Sequence, residues 1–564
     1  MWAGLSVSSV LLLATAARSQ AVPFEAVRAI FGDAVSQQEP FSAPCFQDWE
    51  SAECVAVRTN YLSAAFRSNV PSSQVHTQWE TCQTTGEQCL LDATNSNNRL
   101  AVNQTTCANG SVPDYFVDVS DYTQVQKAFK FSRDTGVPIV VKNTGHDYLG
   151  RSSGRGSLSL WTHNMKQMAF HRDFKPEKGD KTYATAITVG AGVQFSEFYA
   201  FADANNVTVL GGAEASVGAS GGWVLGGGHG PLANTFGMAA DRALQFKVVT
   251  PDGQYRTVNA AQHSDLFFAL RGGGSGYAVI LETTYLATPA VAIQAIFLSF
   301  SATLDTTRQL WSVVIDNGLK WSEESWGGFA NDGAFIYINP VINATRAVES
   351  MKPMADFAER LKAAGVANVA LTQTTFPNFL SWYKVFSAAN KAAQGVNMPE
   401  ASRLIPKSSF ATAKSRAELL AAYEAAYKIT PGFLILAATP ASYAGDGLTS
   451  MTPAWRNSVF HNTWVARWDW NATRAEKVAT YRKVSEAADY VRKITPDASY
   501  TNEADVYEPN YKVAHWGPNY NKLLAIKKKY DPKGLLDCWH CVGFDASSPR
   551  YSCWFTEAEV KGRR

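Results

Sequence analysis

Apolar and polar positions set out the first clear block of elements between Tyr115 and Trp161. Tyr115 to Val119 predicts a short strand. From Asp121 to Thr135, Val125, Ala128, Phe129 and Phe131 recur at helical spacing, with Ser120 or Asp121 placed to cap the first turn. Gly136 ends that helix, and Pro138 cannot continue it. Val137 to Val141 is an unbroken apolar run, the pattern of a buried strand, and Asn143, Thr144 and Gly145 turn the chain at its end. Ser157 to Trp161 alternates as a further strand. The order strand, helix, strand, turn predicts an α+β module.

The same reading predicts a strand over Thr185 to Val189, a helix over Phe195 to Ala204 and a strand over Val207 to Leu210. Leu244 to Thr250 is a strand, Pro251-Asp252-Gly253 a turn, and Asp265 to Leu270 a short helix; Tyr277 to Leu281 closes the block near residue 289. Between residues 290 and 495 glycine thins out and helical patterns alternate with apolar strands at Ile293 to Phe300, Ala334 to Asn339 and Gly432 to Ala438. Pro353 to Ala364 is a helix with Met354, Phe357, Ala358 and Leu361 on one face. Val478, Tyr481, Val484, Ala488 and Val491 make a second such face, and Tyr520 to Lys529 a last helix.

The 564 residues, 46% hydrophobic, suffice for a large core divided among two or more domains. Lysine plus arginine number 51 against 49 aspartate plus glutamate, so neither nucleic acid nor an anionic membrane is an expected partner. Residues 1–19 read as a secretory signal, with an apolar core from Leu5 to Ala17 too short to span a bilayer. Cys45, Cys54, Cys82, Cys89, Cys107, Cys538, Cys541 and Cys553 then point to structural disulfides in an oxidising compartment, with connectivity open. Sequons at Asn103, Asn109, Asn206, Asn343 and Asn471 fit the same secreted route.

Candidate chemistry sits in two glycine-bearing stretches. Asn143, Thr144 and Gly145 form a turn whose successive N–H groups can make an anion nest, with His146 at its lip. Residues 211–230 read G-G-A-E-A-S-V-G-A-S-G-G-W-V-L-G-G-G-H-G, a glycine density that opposes regular structure and suits a chain folded closely around a flat, phosphate-bearing ligand.

These motifs carry a resemblance. T-G-H-D-Y-L-G-R-S-S-G from Thr144, S-V-G-A-S-G-G-W-V-L-G-G-G-H-G from Ser216 and Gly237-Met238-Ala239-Ala240-Asp241 resemble the PCMH-type FAD-binding module of the vanillyl-alcohol-oxidase group. Within it the chain resembles the fungal berberine-bridge-enzyme-like oxidases, whose closing segment is similar to Y-T-N-E-A-D and N-Y-N-K-L-L-A-I-K-K-K-Y-D-P here. The resemblance covers about Asp118 to Asp545. It implies an α+β fold with a disulfide-rich lead-in (20–108), a two-subdomain FAD-binding domain (109–289) and a substrate domain of antiparallel sheet backed by helices (290–495). A C-terminal segment (496–564) returns to the FAD domain and completes the site.

The resemblance further implies that His146 bonds covalently to the 8α-methyl carbon of FAD. Many relatives add a cysteine bond from a G-x-C-x-x-V-G segment, which here reads Gly212-Ala213-Glu214-Ala215-Ser216-Val217-Gly218. A carboxylate cannot make that thioether, so a single link through His146 is expected. Asn143, Thr144 and Gly145, with Ser216, Val217, Gly218, Ser220, Gly221 and Gly222, are expected to hold the pyrophosphate, and Gly228 belongs to the same cofactor-binding stretch. Asp241 and Val249 are expected near the ribose and adenine. Arg151 is open between cofactor and core carboxylates. His229 has no second ligand at usable spacing, so no metal is expected there and a structural or cofactor-packing role is.

In several relatives a tyrosine after the tail asparagine is the base; here Asn502 is followed by Glu503. Its carboxylate could serve if partial burial raises its pKa, or it could cap or salt-bridge. Tyr148 matches a pocket-lining tyrosine, and Tyr500, Asn502 and Tyr507 are further candidates. The implied reaction passes a hydride from a small-molecule substrate to flavin N5 while a base takes the O–H or N–H proton. Dioxygen would regenerate the flavin, giving peroxide. The alternatives are a dehydrogenase with a quinone acceptor and a secreted flavin- or carbohydrate-binding protein without turnover. An NAD-type fold fails, because the glycines lack the βαβ context and the following acidic residue.

Overall fold

The computed structural model describes residues 22–389 and 394–562; the expected secretory signal at residues 1–19 lies outside the described residues. Tyr122–Thr135 is a helix because Asp121 and Gln124 form a capping box at its start and Gly136 adopts the left-handed conformation at its end. Val125, Ala128, Phe129 and Phe131 are buried, as the spacing predicts. The helix connects Tyr115–Asp118 to Ile139–Lys142. Both strands pair in parallel with Leu158–Trp161, and Val35–Gln37 adds an antiparallel edge.

Downstream lies a five-stranded antiparallel sheet in the order Met168–Phe174, Tyr183–Gly190, Val279–Leu286, Ala243–Val249, Tyr255–Asn259. The expected strand from Val207 to Leu210 is only Val207–Thr208, paired with Thr288–Pro289. Val209 and Leu210 are buried outside the sheet, and at Gly211 the Cα faces the Tyr199 side chain too closely for any Cβ.

The third sheet is seven-stranded and antiparallel. Its order is Ala370–Phe376, Ile293–Ser299, Ala334–Asn339, Gly327–Ala330, Gly432–Ala437, Ser458–Val465, Glu400–Pro406. Side chains alternate across such strands. Ala401, Ile405, Phe433, Ile435, Phe460 and Trp464 face one apolar cluster with residues of helices Leu304–Glu323, Lys352–Ala363, Ala413–Ile429 and Arg474–Arg492. The opposite parity puts Glu400, Ser402, Leu404, His461 and Thr463 on the other face, in a register that sets Leu404 beside His461 and Ser402 beside Thr463. Helix Tyr520–Tyr530 returns the tail to the core, where Leu523, Ile526 and Tyr530 share a cluster with Phe267 and Leu270. The α+β class and the helix-backed antiparallel sheet agree with the sequence. Among the described residues no helix is long and apolar enough to cross a membrane.

All eight cysteines form disulfides: Cys45–Cys54, Cys82–Cys553, Cys89–Cys107 and Cys538–Cys541. The Cys82–Cys553 bridge spans 471 residues and ties the lead-in to the tail. A cross-link closing so long a loop removes much of the unfolded chain's freedom, so the double variant Cys82→Ser/Cys553→Ser is expected to lose about 2–4 kcal/mol of stability. Thermal unfolding of both proteins, with limited proteolysis of the tail, measures this.

Candidate active site

The strand Ile139–Lys142 delivers the turn at Asn143, and Gly145 takes φ 87°, a conformation that favours glycine. Asp147 locks the next five residues: its Oδ1 accepts from the N–H groups of Leu149 and Gly150, each at 3.0 Å, and its Oδ2 from Ser152 N–H at 2.6 Å. Arg151 donates to the carbonyls of Thr501 and Trp539, both at 2.9 Å, and so stitches this loop to the tail.

The second glycine stretch lies against the first. Asn143 Nδ2 donates to the Ala191 carbonyl and, at 3.2 Å, to the Ser220 carbonyl. A Cβ on Gly218 would collide with the Asn143 side chain, which explains the glycine. Ser220 Oγ and Thr283 Oγ1 are 2.7 Å apart, and Gln194 Nε2 donates to the Ser216 carbonyl at 2.8 Å. His146 Nε2 lies 2.8 Å from Ser216 Oγ, and Ser216 Oγ donates to Glu214 Oε1 at 3.1 Å. Burial pushes His146 down to about 3, so its ring is neutral at ordinary pH.

The tail completes the centre. Asn502 Nδ2 donates to the Gly222 carbonyl and to Tyr500 Oη, both at 2.9 Å. Glu503 accepts at Oε1 from His229 Nε2 at 3.1 Å and at Oε2 from His461 Nε2 at 2.7 Å. The Glu503 side chain is 21% exposed, His229 15% and His461 0%, so the carboxylate opens to one side only. The rings of Tyr500 and Trp455 enclose the two imidazoles. Tyr148, half-buried, lies against His76 with ring centroids 4.0 Å apart.

The electrostatics reverse one expectation. Burial alone would raise Glu503, but His229 and His461 outweigh it and hold the carboxyl below the usual range. Glu503 is therefore ionised because it is hydrogen-bonded, not poised upward by burial. Glu400, fully buried on the same sheet face, is pushed well up by burial and by the Glu503 charge. Tyr148 is pushed up by burial and by Glu400, Glu503 and Glu214, so its phenol stays a donor.

His229 is held by hydrogen bonding and ring packing. Its partners are distant in sequence but near in space: ligand atoms of His229, His461 and Glu503 lie within 4.8 Å of one another. The two hydrogen bonds to Glu503 account for that approach. Three other residues are committed elsewhere. Asp241 pairs through Oδ1 with Arg456 at 2.5 Å and accepts from Met238 N–H at 2.8 Å. Val249 is fully buried in the apolar cluster that holds Val125 and Phe129, and Tyr507 packs with Tyr481 and Trp539. Gly228 packs against Trp223 and Ala239. His461, Glu400 and His76 were not anticipated. No alternation in Ser458–Val465 marked His461, since polar residues fall on both parities of that strand, and nothing in the spacing marked His76.

The residues present fit a flavin dinucleotide. Gly222 is exposed, and a Cβ built there meets nothing within 4 Å; Gly221, at φ 89°, has only Asn143 Nδ2 at 3.9 Å. Asn143 Oδ1 is buried with no partner beside this open cradle. Comparison with known proteins agrees. Residues 113–259 match the FAD binding domain family, and residues 499–538 the family described as berberine and berberine like. The FAD-linked oxidoreductase ffsJ of Aspergillus flavipes is 35% identical over 93% of this chain and 92% of its own. This chain belongs to the FAD-linked oxidoreductases of that family. The crystal structure of the VAO-type flavoprotein MtVAO615 from Myceliophthora thermophila C1 matches with a TM-score of 0.79 and 26% identity, covering 92% of this chain and 94% of that one. Glucooligosaccharide oxidase from Acremonium strictum shares the fold, with a TM-score of 0.61 and 20% identity over 76% of this chain and 92% of that one. Its FAD is described as 6-S-cysteinyl, 8α-N1-histidyl. The enzyme is thus an FAD-dependent oxidoreductase of VAO-type, PCMH fold acting on a small molecule.

Gly226 tests how the flavin oxidoreductase positions its tail. A Cβ there would meet the Asn502 side chain at under 3.0 Å. Gly226→Ala is expected to expel Asn502 from Gly222 and Tyr500, destabilising the fold by about 1–3 kcal/mol and weakening FAD retention. Thermal unfolding and flavin absorbance after desalting read both.

Proposed function

We propose an oxidase, joined to FAD by one covalent bond through His146, that takes a hydride from an alcohol, a sugar or a secondary-metabolite intermediate. Bound FAD would supply the hydride acceptor and return the electrons to dioxygen, giving peroxide. The carrying observation is the carboxylate of Glu503, ionised, open on one side and clasped by His229 and His461. Glu503 is ionised but a weak base because its pKa is lowered, so it takes the substrate's O–H proton in concert with C–H cleavage, and the two imidazoles orient its acceptor oxygens. Tyr148 donates a hydrogen bond towards the substrate oxygen, and Asn502 and Tyr500 hold the tail in register. The neutral His146 ring and the glutamate at position 214, where the relatives' second bond needs a cysteine, support the single histidyl link. The backbones of Asn143, Thr144, Gly145, Ser216, Val217, Gly218, Ser220, Gly221 and Gly222 are proposed to hold the pyrophosphate, and the open face at Gly221 and Gly222 supports this.

Four disulfides support a route through an oxidising compartment. The proposed divisions near residues 289 and 495 are supported by the seven-stranded sheet, whose strands run from Ile293 to Val465, and that near residue 108 by the FAD-domain match, which starts at residue 113.

Peroxide release from a panel of alcohols, oligosaccharides and aromatic metabolites identifies the substrate; anaerobic reduction followed by slow recovery in air would indicate a dehydrogenase instead. With that substrate, Glu503→Gln is expected to slow flavin bleaching by about 10²–10⁴-fold. Unchanged bleaching would remove Glu503 from the role. The pH profile adds a signed test. His461 stabilises the ionised carboxylate, so in the parent enzyme the acidic limb of kcat/KM lies below the ordinary carboxylate value of about 4.3. His461→Ala leaves burial less opposed, so that limb moves to higher pH.

A further inference from the structure

Glu214 stands where relatives carry the cysteine of their second flavin bond, and here it makes a different contact. Its Oε1 accepts from Ser216 Oγ at 3.1 Å and from Ser216 N–H at 3.3 Å. A serine hydroxyl has one proton to give. With that proton directed at Glu214, Ser216 Oγ can only accept from His146 Nε2, 2.8 Å away. The proton therefore sits on Nε2, and the lone pair of the neutral ring is on Nδ1. Ser216 is buried and held by Gln194 through its carbonyl, so the chain of three is fixed at its middle; Glu214 is half-buried in the loop.

We propose that Glu214 and Ser216 form a proton relay that sets the tautomer of His146 and accepts its Nε2 proton while Nδ1 bonds to the 8α carbon of the flavin. This rests on the proposed histidyl link. One Nδ1–C bond forms and one C–H bond of the 8α-methyl breaks. The methyl proton and the Nε2 proton are released, and two electrons pass through the flavin ring to dioxygen, which leaves as hydrogen peroxide. The Nε2 proton moves to Ser216 Oγ as the Ser216 proton moves to Glu214 Oε1. Ser216 ends neutral, and so does the alkylated imidazole. Glu214 acts through Ser216, as a positioning residue and terminal proton acceptor.

The test tracks covalent attachment rather than turnover. Full-length protein, refolded or expressed with FAD, is denatured in acid, and retained flavin is read by in-gel fluorescence and by the mass of the peptide containing residue 146. The parent chain is expected to keep its flavin. Glu214→Gln can still accept from Ser216 but takes no proton. Its attachment is expected to slow at least about ten-fold at neutral pH and to recover as pH rises and hydroxide replaces the carboxylate. Visible absorbance before acid should show FAD still bound. Ser216→Ala should slow attachment without that recovery; should it not fold, the half-buried Glu214 variant decides. Parent-like attachment in Glu214→Gln at every pH would overturn the relay and leave the histidyl link standing. A parent chain that yields all its FAD to acid would overturn the link itself.

Discussion

The Glu503 carboxylate, shared by two imidazoles, is the interaction on which the centre depends. His229 comes from the glycine-rich stretch, His461 from the seven-stranded sheet and Glu503 from the tail, 274 and 42 residues away in sequence. A largely buried charge is unfavourable unless it is paired and hydrogen-bonded, and removing one partner leaves the penalty unrelieved. The three segments are therefore held to one geometry. The same pairing keeps the carboxyl ionised where burial alone would neutralise it.

Around that pairing the backbone is drawn in by small residues and long polar ones. Asn143 bridges the first turn to Ala191 and Ser220, Asn502 bridges the tail to Gly222, and Arg151 reaches the carbonyls of Thr501 and Trp539. Gly218 and Gly226 are the sites of close approach, each facing an asparagine side chain. Gly221 and Gly222 face open space instead, on the side proposed for the cofactor. Glycine density in one stretch thus serves two ends: tight packing of loop on loop, and bare backbone towards a cofactor.

Local elements were legible where one face or one cap decided them. Asp121, Gln124 and Gly136 bound a helix whose buried positions follow from spacing, and the apolar run at Ile139 to Val141, following a helix stop and a proline, read as the strand it is. Strands Glu400–Pro406 and Ser458–Val465 were not legible, because their second face points into the centre and carries Glu400, Ser402, His461 and Thr463. Polar residues there break the apolar signature of an interior strand while the strand remains buried. His76 was missed for a different reason: it sits in the lead-in, and its stacking on Tyr148 depends on a fold that brings residue 76 to residue 148.

Sequence alone determined the α+β class and the two glycine-bearing loops, because these rest on residue type and local spacing, and the motifs in those loops carried the resemblance that led to the FAD-oxidoreductase family. Tertiary structure decided the cysteine pairing, the partners of Glu503 and the sign of its pKa shift. Those quantities depend on distances between side chains far apart in the chain and on the solvent they displace, and neither is written in local order.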